Sequence, residues 1–552
     1  MAKSLAYSPK NPQTRIEEYP AFLIGRHPSN NSFLASYGQQ FVMLAAPPGT
    51  GKGVGEVVPN ALSYPDSMVI NDPKFENWQL TSGFRASAGH KVFRFSPELL
   101  ETHRWNPLSQ ISQDPLYRLG EIRTLASVLF VSSNEKNQEW YTKAGNVFTA
   151  VLLYLIETPA MPFTLPQAYE VASLGSAMGV WAQQVLKERS SGPEALSTET
   201  LRELNGVLEA SKNKSSGWST TADIVRDVLS IYAEKTVAWA LSPGRSDLQI
   251  DFSMARQEKT TIYFSMSEES LKKFGPLMNL FFTQAIRQNS KPLPELGGHC
   301  SDGTLKYKYQ LALLMDEFAI MGRMEIMETA PALTRGAGLR YFIIFQGKDQ
   351  IRAVYGVEKG NAIMKAFHIE IVFAPGDIEL AKEYSARLGN RTVRVQTQSL
   401  GKRNINERNQ TDNYSDQATP LMHPQDINEL PYDQQLVFVQ GTKTTAPMKI
   451  KARKIFYYED KVLDARSKIP PPSLPIADAT QIDALTVPVR VVDQKASVAD
   501  PHAQQLQVEH KKRWIPGGAA AQTSQPQATA GNRRQPQAAA AAIKPHAQHA
   551  DD

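Results

Sequence analysis

The sequence of 552 residues contains a single cysteine, Cys300. One thiol excludes a disulfide framework within the chain and any metal or iron–sulfur site built from several thiolates, and it indicates a reducing environment such as the cytosol. Long hydrophobic runs are missing too. The longest near-continuous one, residues 148–156, has about half of the roughly 20 residues that a membrane-spanning helix needs. Since no signal peptide follows Met1 either, we predict a soluble protein.

A strong net charge is also absent. The sequence has 60 Lys and Arg against 55 Asp and Glu, a formal charge of +5, which is too small to indicate nucleic-acid binding by itself. With 41% hydrophobic and 21% charged residues, the chain can form a sizeable packed core, and wholesale disorder is excluded. The length suggests two to four structural units.

Seven short apolar runs, each bounded by turn or cap residues, have the pattern of buried parallel strands. Most of them are separated by enough residues for a crossover helix, so the sequence predicts an α/β fold with a mostly parallel sheet. The predicted strands are residues 41–46, 67–72, 91–95, 260–266, 311–316, 341–346 and 369–374.

Helical spacing replaces this pattern between about residues 114 and 247. Apolar residues recur at intervals of three and four in residues 140–156 and 222–232. We predict an inserted all-α domain over residues 113–248, which divides the α/β domain into residues 1–112 and 249–465. Surface helices of the same domain are the alternative.

The composition changes near residue 466. Prolines at 470–472 begin a linker, and Ala, Gln, Pro and Gly dominate after Pro516. Such a segment buries too little apolar surface to offset the entropy of ordering it, so we predict a disordered tail over residues 466–552. A polar stretch at residues 400–416 is predicted to be a long surface loop.

The sharpest motif directly follows the predicted strand 41–46. A phosphate loop has a Gly, four residues and then Gly-Lys-Ser/Thr between a strand and a helix. Here Ala46 replaces the first Gly, and Gly53 replaces the hydroxyl that usually binds magnesium. Glycines let backbone N–H groups approach phosphate oxygens, and a lysine supplies charge to the β- and γ-phosphates. A flexible strand-to-helix turn is the alternative. The candidate phosphate-binding residues are Pro47, Pro48, Gly49, Thr50, Gly51, Lys52 and Gly53.

An acidic pair, Asp316 and Glu317, follows the apolar run 311–315. Carboxylates at the end of a buried strand lie at the ligand edge of a parallel sheet. In a nucleotide hydrolase Asp316 would hold Mg²⁺ through water, and Glu317 would polarise the attacking water. Two carboxylates capping the next helix are the alternative. The pair and the phosphate loop together favour catalysis.

Two further residues are candidates because of their place near the neighbouring strand. Gln346 ends that strand, where an amide can contact the γ-phosphate or its attacking water, although an exposed strand-end amide is equally ordinary. Arg335 precedes the strand and could reach the phosphates of a neighbouring subunit as an arginine finger. Arg340 is the rival candidate, and each is as readily an ordinary surface arginine.

These motifs together resemble the coupling-protein ATPases of type IV secretion systems, the TraG/TraD-like conjugation proteins. The resemblance covers roughly residues 20–465, and Gly53 occurs in that family too. Asp72, Lys74 and Glu76 match a further family motif, for which a strand-end ion cluster is the alternative. The matching segments are residues 45–55, 58–60, 72–78, 105–108, 316–318, 335–340, 346, 420–422 and 457–458.

The resemblance implies a RecA-like P-loop nucleotide-binding domain that binds ATP and Mg²⁺, carries an inserted all-α domain and assembles as a hexamer. It implies that hydrolysis drives the recruitment and passage of a relaxase-bound single DNA strand, or of secreted proteins, into a type IV secretion channel. By the same analogy Lys52, Asp316, Glu317, Gln346 and Arg335 take the roles given above. The implied partners are single-stranded DNA bound without sequence preference, the relaxase, the channel ATPases and inner-membrane components.

The implied location is the cytoplasmic face of the bacterial inner membrane. Family members usually carry transmembrane helices ahead of the nucleotide domain, and the sequence shows none, so either an anchor was removed or the protein docks through partners. Two other functions are alternatives: a DNA-pumping ATPase outside secretion, and a docking receptor that binds nucleotide for structure and recognises secreted proteins.

Overall fold

The computed structural model describes residues 20–38, 40–132, 134–213, 217–290, 308–334, 337–404, 407–441, 446–477, 479–482 and 484–491. All of these residues belong to one compact unit. Arg335 and residues 492–552 of the predicted tail lie outside the described residues.

The strands of the described residues differ in length from four to fifteen residues. They are β1 (Ala21–Arg26), β2 (Phe33–Tyr37), β3 (Val42–Ala45), β4 (Ser67–Pro73), β5 (Lys91–Phe95), β6 (Thr260–Met266), β7 (Leu311–Met315), β8 (Leu339–Phe345), β9 (Ile369–Val372), β10 (Asn390–Asn404), β11 (Glu407–Pro420), β12 (Gln434–Val439) and β13 (Met448–Arg453).

The helices include one π-helical turn, Gly53–Val57, which leads directly into α1. The α-helices are α1 (Val58–Ala61), α2 (Glu76–Ser87), α3 (Pro115–Leu129), α4 (Gln138–Ile156), α5 (Leu165–Ala172), α6 (Met178–Arg189), α7 (Thr198–Lys212), α8 (Trp218–Leu229), α9 (Lys235–Ala240), α10 (Leu271–Asn289), α11 (Ile326–Leu333), α12 (Lys348–Tyr355), α13 (Val357–Lys365), α14 (Ile378–Leu388), α15 (Pro424–Asn428), α16 (Lys461–Ser467) and α17 (Ala479–Ile482).

The seven strands that the sequence predicts form a parallel block in the order β9-β3-β8-β7-β4-β6-β5. Every residue of β3, β6, β7, β8 and β9 is buried, as expected for strands covered on both faces. The prediction of an α/β fold with a mostly parallel sheet is confirmed. Because parallel strands share a direction, the carboxyl ends of β3, β7 and β8 meet at one edge.

Four strands that the sequence analysis did not predict continue the sheet beyond β9 to eleven strands, in the order β12-β13-β1-β2. They pair antiparallel, from β9 with β12 outward. At this end of the sheet β2 and β13 are largely exposed, so they lack the continuous apolar run that marks a strand with both faces covered.

A separate two-stranded ribbon, β10 with β11, replaces the predicted surface loop. It pairs Asn390 with Pro420 at its base and Asn404 with Glu407 near its tip, so the prediction of a loop over residues 400–416 is wrong. Antiparallel pairing satisfies the backbone hydrogen bonds of a polar segment without requiring a buried face. Hydrophobic periodicity therefore cannot detect it.

The long secondary-structure elements described between β5 and β6 are all helical, from α3 to α9. Buried residues of these helices, such as Phe148 and Leu204, belong to the same hydrophobic cluster as Met43 of β3 and the preceding Phe41. The helices predicted at residues 140–156 and 222–232 are confirmed by α4 and α8. The domain boundaries at residues 113 and 248 stay a prediction.

Part of the segment that composition assigns to the tail contacts the folded body. Gln167 donates to the carbonyl of Val487 at 2.9 Å and accepts from its N–H at 2.7 Å. Arg466 donates to the carbonyl of Leu62 at 2.6 Å. Such contacts therefore continue well past residue 466. Across the helices of the described ranges, none is both long and apolar enough to cross a membrane.

Candidate active site

The loop after β3 has the backbone conformation that a phosphate loop needs. Ala46 donates its N–H to the carbonyl of Phe345 at 2.9 Å, which fixes the start of the loop against β8. Gly49 and Gly51 have φ angles of 75° and 83°, in the left-handed region that favours glycine. Lys52 then precedes the π-helical turn, in which Gly55 donates its N–H to the carbonyl of Gly51 at 2.8 Å. Residues 47–53 thus lie where the sequence places them.

Four of the predicted site residues meet at the carboxyl edge of β3, β7 and β8. The ammonium nitrogen Nζ of Lys52 lies 3.1 Å from Oδ1 of Asp316 and forms an ion pair with Oε1 of Glu317. Gln346 donates from Nε2 to Oε2 of Glu317 at 3.2 Å. The lysine of the glycine-containing loop, the acidic pair and the strand-end amide therefore form one continuous polar cluster, and we call it the Lys52 cluster.

Glu317 is held in an unfavourable backbone conformation, with φ 54° and ψ 44°. A glutamate in the left-handed region costs roughly 1 kcal/mol or more, and such residues gather at functional sites. Two hydrogen bonds keep the turn in place: Glu317 donates its N–H to Oδ1 of Asp316 at 2.9 Å, and Asn71 donates to the carbonyl of Asp316. The turn aims both carboxylates at Lys52.

The cluster places two carboxylates around a single ammonium group. Asp316 is only 4% exposed, and burial raises its pKa, an effect that the charge of Lys52 partly offsets. Burial alone would lower the pKa of Lys52, but Asp316 and Glu317 outweigh it and raise the pKa. The ammonium is therefore charged at neutral pH.

The two arginines proposed as arginine fingers, Arg335 and Arg340, differ in whether the structure describes them. Arg335 lies outside the described residues. Arg340 is fully buried in β8 and donates to the carbonyls of Pro20 at 2.8 Å, Ser36 at 3.1 Å and Gln40 at 3.1 Å. It ties the sheet to two preceding segments and cannot reach a neighbouring subunit. The rival assignment of Arg340 as an arginine finger is wrong.

Asp72, from the second family-like motif, is a buried capping residue. Its carboxylate accepts from the N–H groups of Asn77 at 2.8 Å and Trp78 at 3.0 Å and from the hydroxyl of Ser265 at 2.8 Å. The side chain therefore satisfies the first turn of α2 and joins it to β6. Lys74 of the same motif is half-exposed and pairs with Glu268 at 2.8 Å.

Replacing Asp72 with alanine is expected to lower the free energy of unfolding by about 2–4 kcal/mol, because three buried donors lose their acceptor. Urea unfolding of both proteins measures the change. The matched control is Asp223→Ala, an exposed aspartate of α8 that pairs with Arg226, for which the expected change is below about 0.5 kcal/mol. Equal losses in the two variants would contradict the capping role.

Two buried residues that the sequence analysis missed lie beside the loop. Lys454, buried after β13, donates to the carbonyl of Thr50 at 2.8 Å. Glu56, fully buried in the π-helical turn, accepts from Gln435 at 3.0 Å. Burial raises the pKa of Glu56 to about 8 and lowers the pKa of Lys454 to about 8. No local pattern links Lys454 to the loop, because it lies 404 residues away from Thr50.

Glu56 is expected to make stability depend on pH. Its ordinary pKa is 4.5 and its folded pKa about 8, so between these values the folded chain holds a proton that the unfolded chain has lost. Its contribution to stability is present below pH 4.5 and is lost as pH rises toward 8, at up to about 1.4 kcal/mol per pH unit.

The variant Glu56→Gln should lack this pH dependence, since its amide does not titrate. Urea unfolding at pH 5, 6.5 and 8 tests this, with the exposed Glu358→Gln as control, which should follow the wild type. Unfolding energies of wild type and Glu56→Gln that change in parallel with pH would show that Glu56 is charged when folded.

The sequence of the chain is similar to those of known proteins. A family model described as "Type IV secretory system Conjugative DNA transfer" matches residues 4–480. The protein VirD4 of Agrobacterium fabrum is 27% identical over 438 residues, which are 78% of this chain and 61% of VirD4. The conjugal transfer protein TraG of Escherichia coli is 25% identical over 476 residues, 81% of this chain and 71% of TraG. The chain thus spans about three fifths of VirD4.

Solved structures show the same fold. The bacterial conjugative coupling protein TrwB, in a form called TrwBdeltaN70, matches with a TM-score of 0.54 and 17% identity over 76% of this chain and 85% of TrwB. TrwB in complex with ADP and Mg²⁺ matches with a TM-score of 0.51 and 17% identity, over 77% of this chain and 88% of that chain.

Proposed function

Because the chain belongs to the type IV secretory system conjugative DNA transfer family, we propose that it is a coupling protein that hydrolyses ATP to move substrate into a secretion channel. The proposed substrates are a relaxase-bound single DNA strand and secreted proteins. The proposed place of action is the cytoplasmic face of the inner membrane, beside the channel ATPases and inner-membrane components.

One observation carries the enzymatic part of this proposal: the Lys52 cluster lies at the mouth of the glycine-containing loop. Lys52, Asp316, Glu317 and Gln346 follow three neighbouring parallel strands, and two ion pairs and a hydrogen bond join them. An ammonium group, a metal-binding carboxylate, a base and an amide at one sheet edge are the groups that nucleotide hydrolysis requires.

The residues fit ATP and Mg²⁺. The left-handed conformation of Gly49 and Gly51 opens the loop to phosphate oxygens, and Lys52 supplies the positive charge. A carboxylate oxygen of Asp316 is the hard donor that Mg²⁺ prefers, and Mg²⁺ commonly keeps several waters, so the lack of a hydroxyl at Gly53 is compatible with binding. When bound, Mg²⁺ neutralises charge on the phosphates.

Nucleotide binding would rearrange the ion pairs. Lys52 pairs with Asp316 and Glu317, and triphosphate oxygens would compete with these carboxylates for the ammonium. Transfer of Lys52 to the phosphates frees Asp316 to hold the metal ion and Glu317 to accept a proton from the attacking water. Gln346, which donates to Glu317, would orient that water.

The assembly is also part of the proposal. We propose a hexameric ring in which Arg335 of one subunit reaches the phosphates bound to the next, as an arginine finger. Basic residues facing the central channel would bind the DNA backbone without sequence preference, so DNA binding should weaken with salt.

The test is an ATPase assay of the full chain with single-stranded DNA, duplex DNA and no DNA, combined with a mass measurement of the assembly. The proposal expects hydrolysis that single-stranded DNA stimulates, and a hexamer. Stimulation by duplex alone would favour a DNA pump outside secretion. Nucleotide binding without hydrolysis, together with binding to secreted proteins only, would favour a docking receptor.

A further inference from the structure

Three aromatic rings stack beside the phosphate loop. Phe456 lies parallel to Tyr432, with centroids 5.5 Å apart and an interplanar angle of 10°, and parallel to Tyr458, at 5.5 Å and 11°. Phe456 is 4% exposed, whereas Tyr432 and Tyr458 are 55% and 50% exposed. We call these three rings the aromatic stack. Its buried member fixes the orientation of the two that face solvent.

The aromatic stack touches the phosphate loop directly. The hydroxyl of Tyr432 lies so close to Gly51 that a Cβ atom at that position would be 2.6 Å from it. Lys454, whose ammonium lies 4.8 Å from the centroid of the Tyr432 ring, donates to the carbonyl of Thr50 at 2.8 Å. The loop and the nearest tyrosine are therefore held in a fixed relation to each other.

A flat apolar ligand group is the natural occupant of such a surface. Exposed aromatic rings that are held rigidly in parallel present stacking faces, and a nucleobase gains about 1–3 kcal/mol from stacking on one of them. The loop beside them is built for phosphate, and a nucleotide joins a base to phosphates in one molecule. The aromatic stack and the loop beside it thus both fit a nucleotide.

We propose that Tyr432 and Tyr458 of the aromatic stack form the nucleobase subsite for a purine nucleoside triphosphate whose phosphates bind to residues 47–53. This inference rests on the proposed function, because it requires that a nucleotide binds at this loop. Stacking follows the size of the π-face, so ATP and GTP should bind alike and CTP more weakly.

Two ligands separate the base from the phosphates: ATP and inorganic tripolyphosphate, each with Mg²⁺. Isothermal calorimetry of the full chain measures both affinities for the wild type, Tyr432→Ala, Tyr458→Ala and the double variant. We expect the double variant to bind ATP roughly 5- to 100-fold more weakly and to bind tripolyphosphate within about twofold of the wild type. Tyr432→Trp should retain ATP affinity, since it keeps the stacking face.

The matched control is Tyr117→Ala, a tyrosine of α3 that is 58% exposed, and this variant should bind both ligands as the wild type does. Unchanged ATP affinity in the double variant would overturn the inference. Equal loss of both ligands would overturn it too, because the stack would then only support the loop. Lost self-association at unchanged ATP affinity would assign the stack to a second copy. A wild type that binds neither ligand would refute the proposed function itself.

Discussion

Replacing Glu317 with glutamine is expected to lower the rate of ATP hydrolysis by about 10²–10⁴-fold, the usual effect of removing a general base. Glutamine keeps the size of the side chain but cannot accept the proton of the attacking water. ATP should bind as tightly as before or more tightly, because one of the two carboxylates that compete with phosphate for Lys52 loses its charge. Single-turnover hydrolysis and calorimetry measure the two effects separately.

The separation of binding from turnover makes this variant informative. A structural role for Glu317 would reduce ATP affinity, hydrolysis and stability together, whereas the proposed base role reduces only hydrolysis. Glu358→Gln, an exposed glutamate of α13, is the control and should hydrolyse ATP normally. A wild-type rate in Glu317→Gln would transfer the role of base to another group.

The parallel block of the sheet could be predicted because burial on both faces leaves a clear trace in the sequence. Strands such as Leu311–Met315 and Thr260–Met266 are entirely buried, so apolar or small residues fill them without alternation. The site followed from the same reasoning. Asp316 and Gln346 each directly follow such a strand, Lys52 lies in the loop after a third, and parallel strands bring their ends to one edge.

The sequence alone could not predict which distant strands pair with each other, and so which distant residues reach the site. Lys454 and Tyr432 flank the antiparallel strands β12 and β13, and only the pairing of β12 with β9 and with β13 carries them to the phosphate loop. Arg340 shows the reverse error: a cation near a candidate site looked available, yet backbone carbonyls bind it inside the sheet. Strand register places Lys454 and Tyr432 beside the loop, and burial removes Arg340 from it. Neither strand register nor burial can be read from the residues next to these positions in the sequence.

Replacing Lys52 with methionine is expected to reduce ATP hydrolysis by at least about 10²-fold and to weaken tripolyphosphate binding, because the charge that faces the phosphates is lost. The same change should lower the free energy of unfolding by about 2 kcal/mol at pH 7, since Asp316 and Glu317 lose the only cation paired with them in the described part of the chain. Methionine fills a similar volume, so packing is preserved.

The pH dependence of this loss distinguishes charge from packing. Without Lys52 the pKa of Asp316, which burial already raises, should rise further, and a carboxyl with a raised folded pKa loses stability as pH increases. The deficit of Lys52→Met should therefore be small at pH 4 and larger at pH 8. Lys382→Met, which removes an exposed ion pair with Glu379, should show no such trend.

A second substitution completes the argument. In Lys52→Met with Glu317→Gln, one of the two uncompensated carboxylates is gone, so part of the lost stability should return while hydrolysis stays reduced. The recovery is the coupling between the two side chains, read from urea unfolding of the four proteins in the cycle. If the losses of stability of the two single variants simply add in the double variant, the ion pair between Lys52 and Glu317 contributes nothing to the stability of the nucleotide-free protein. If the loss of stability of Lys52→Met does not change with pH, methionine disturbs packing instead.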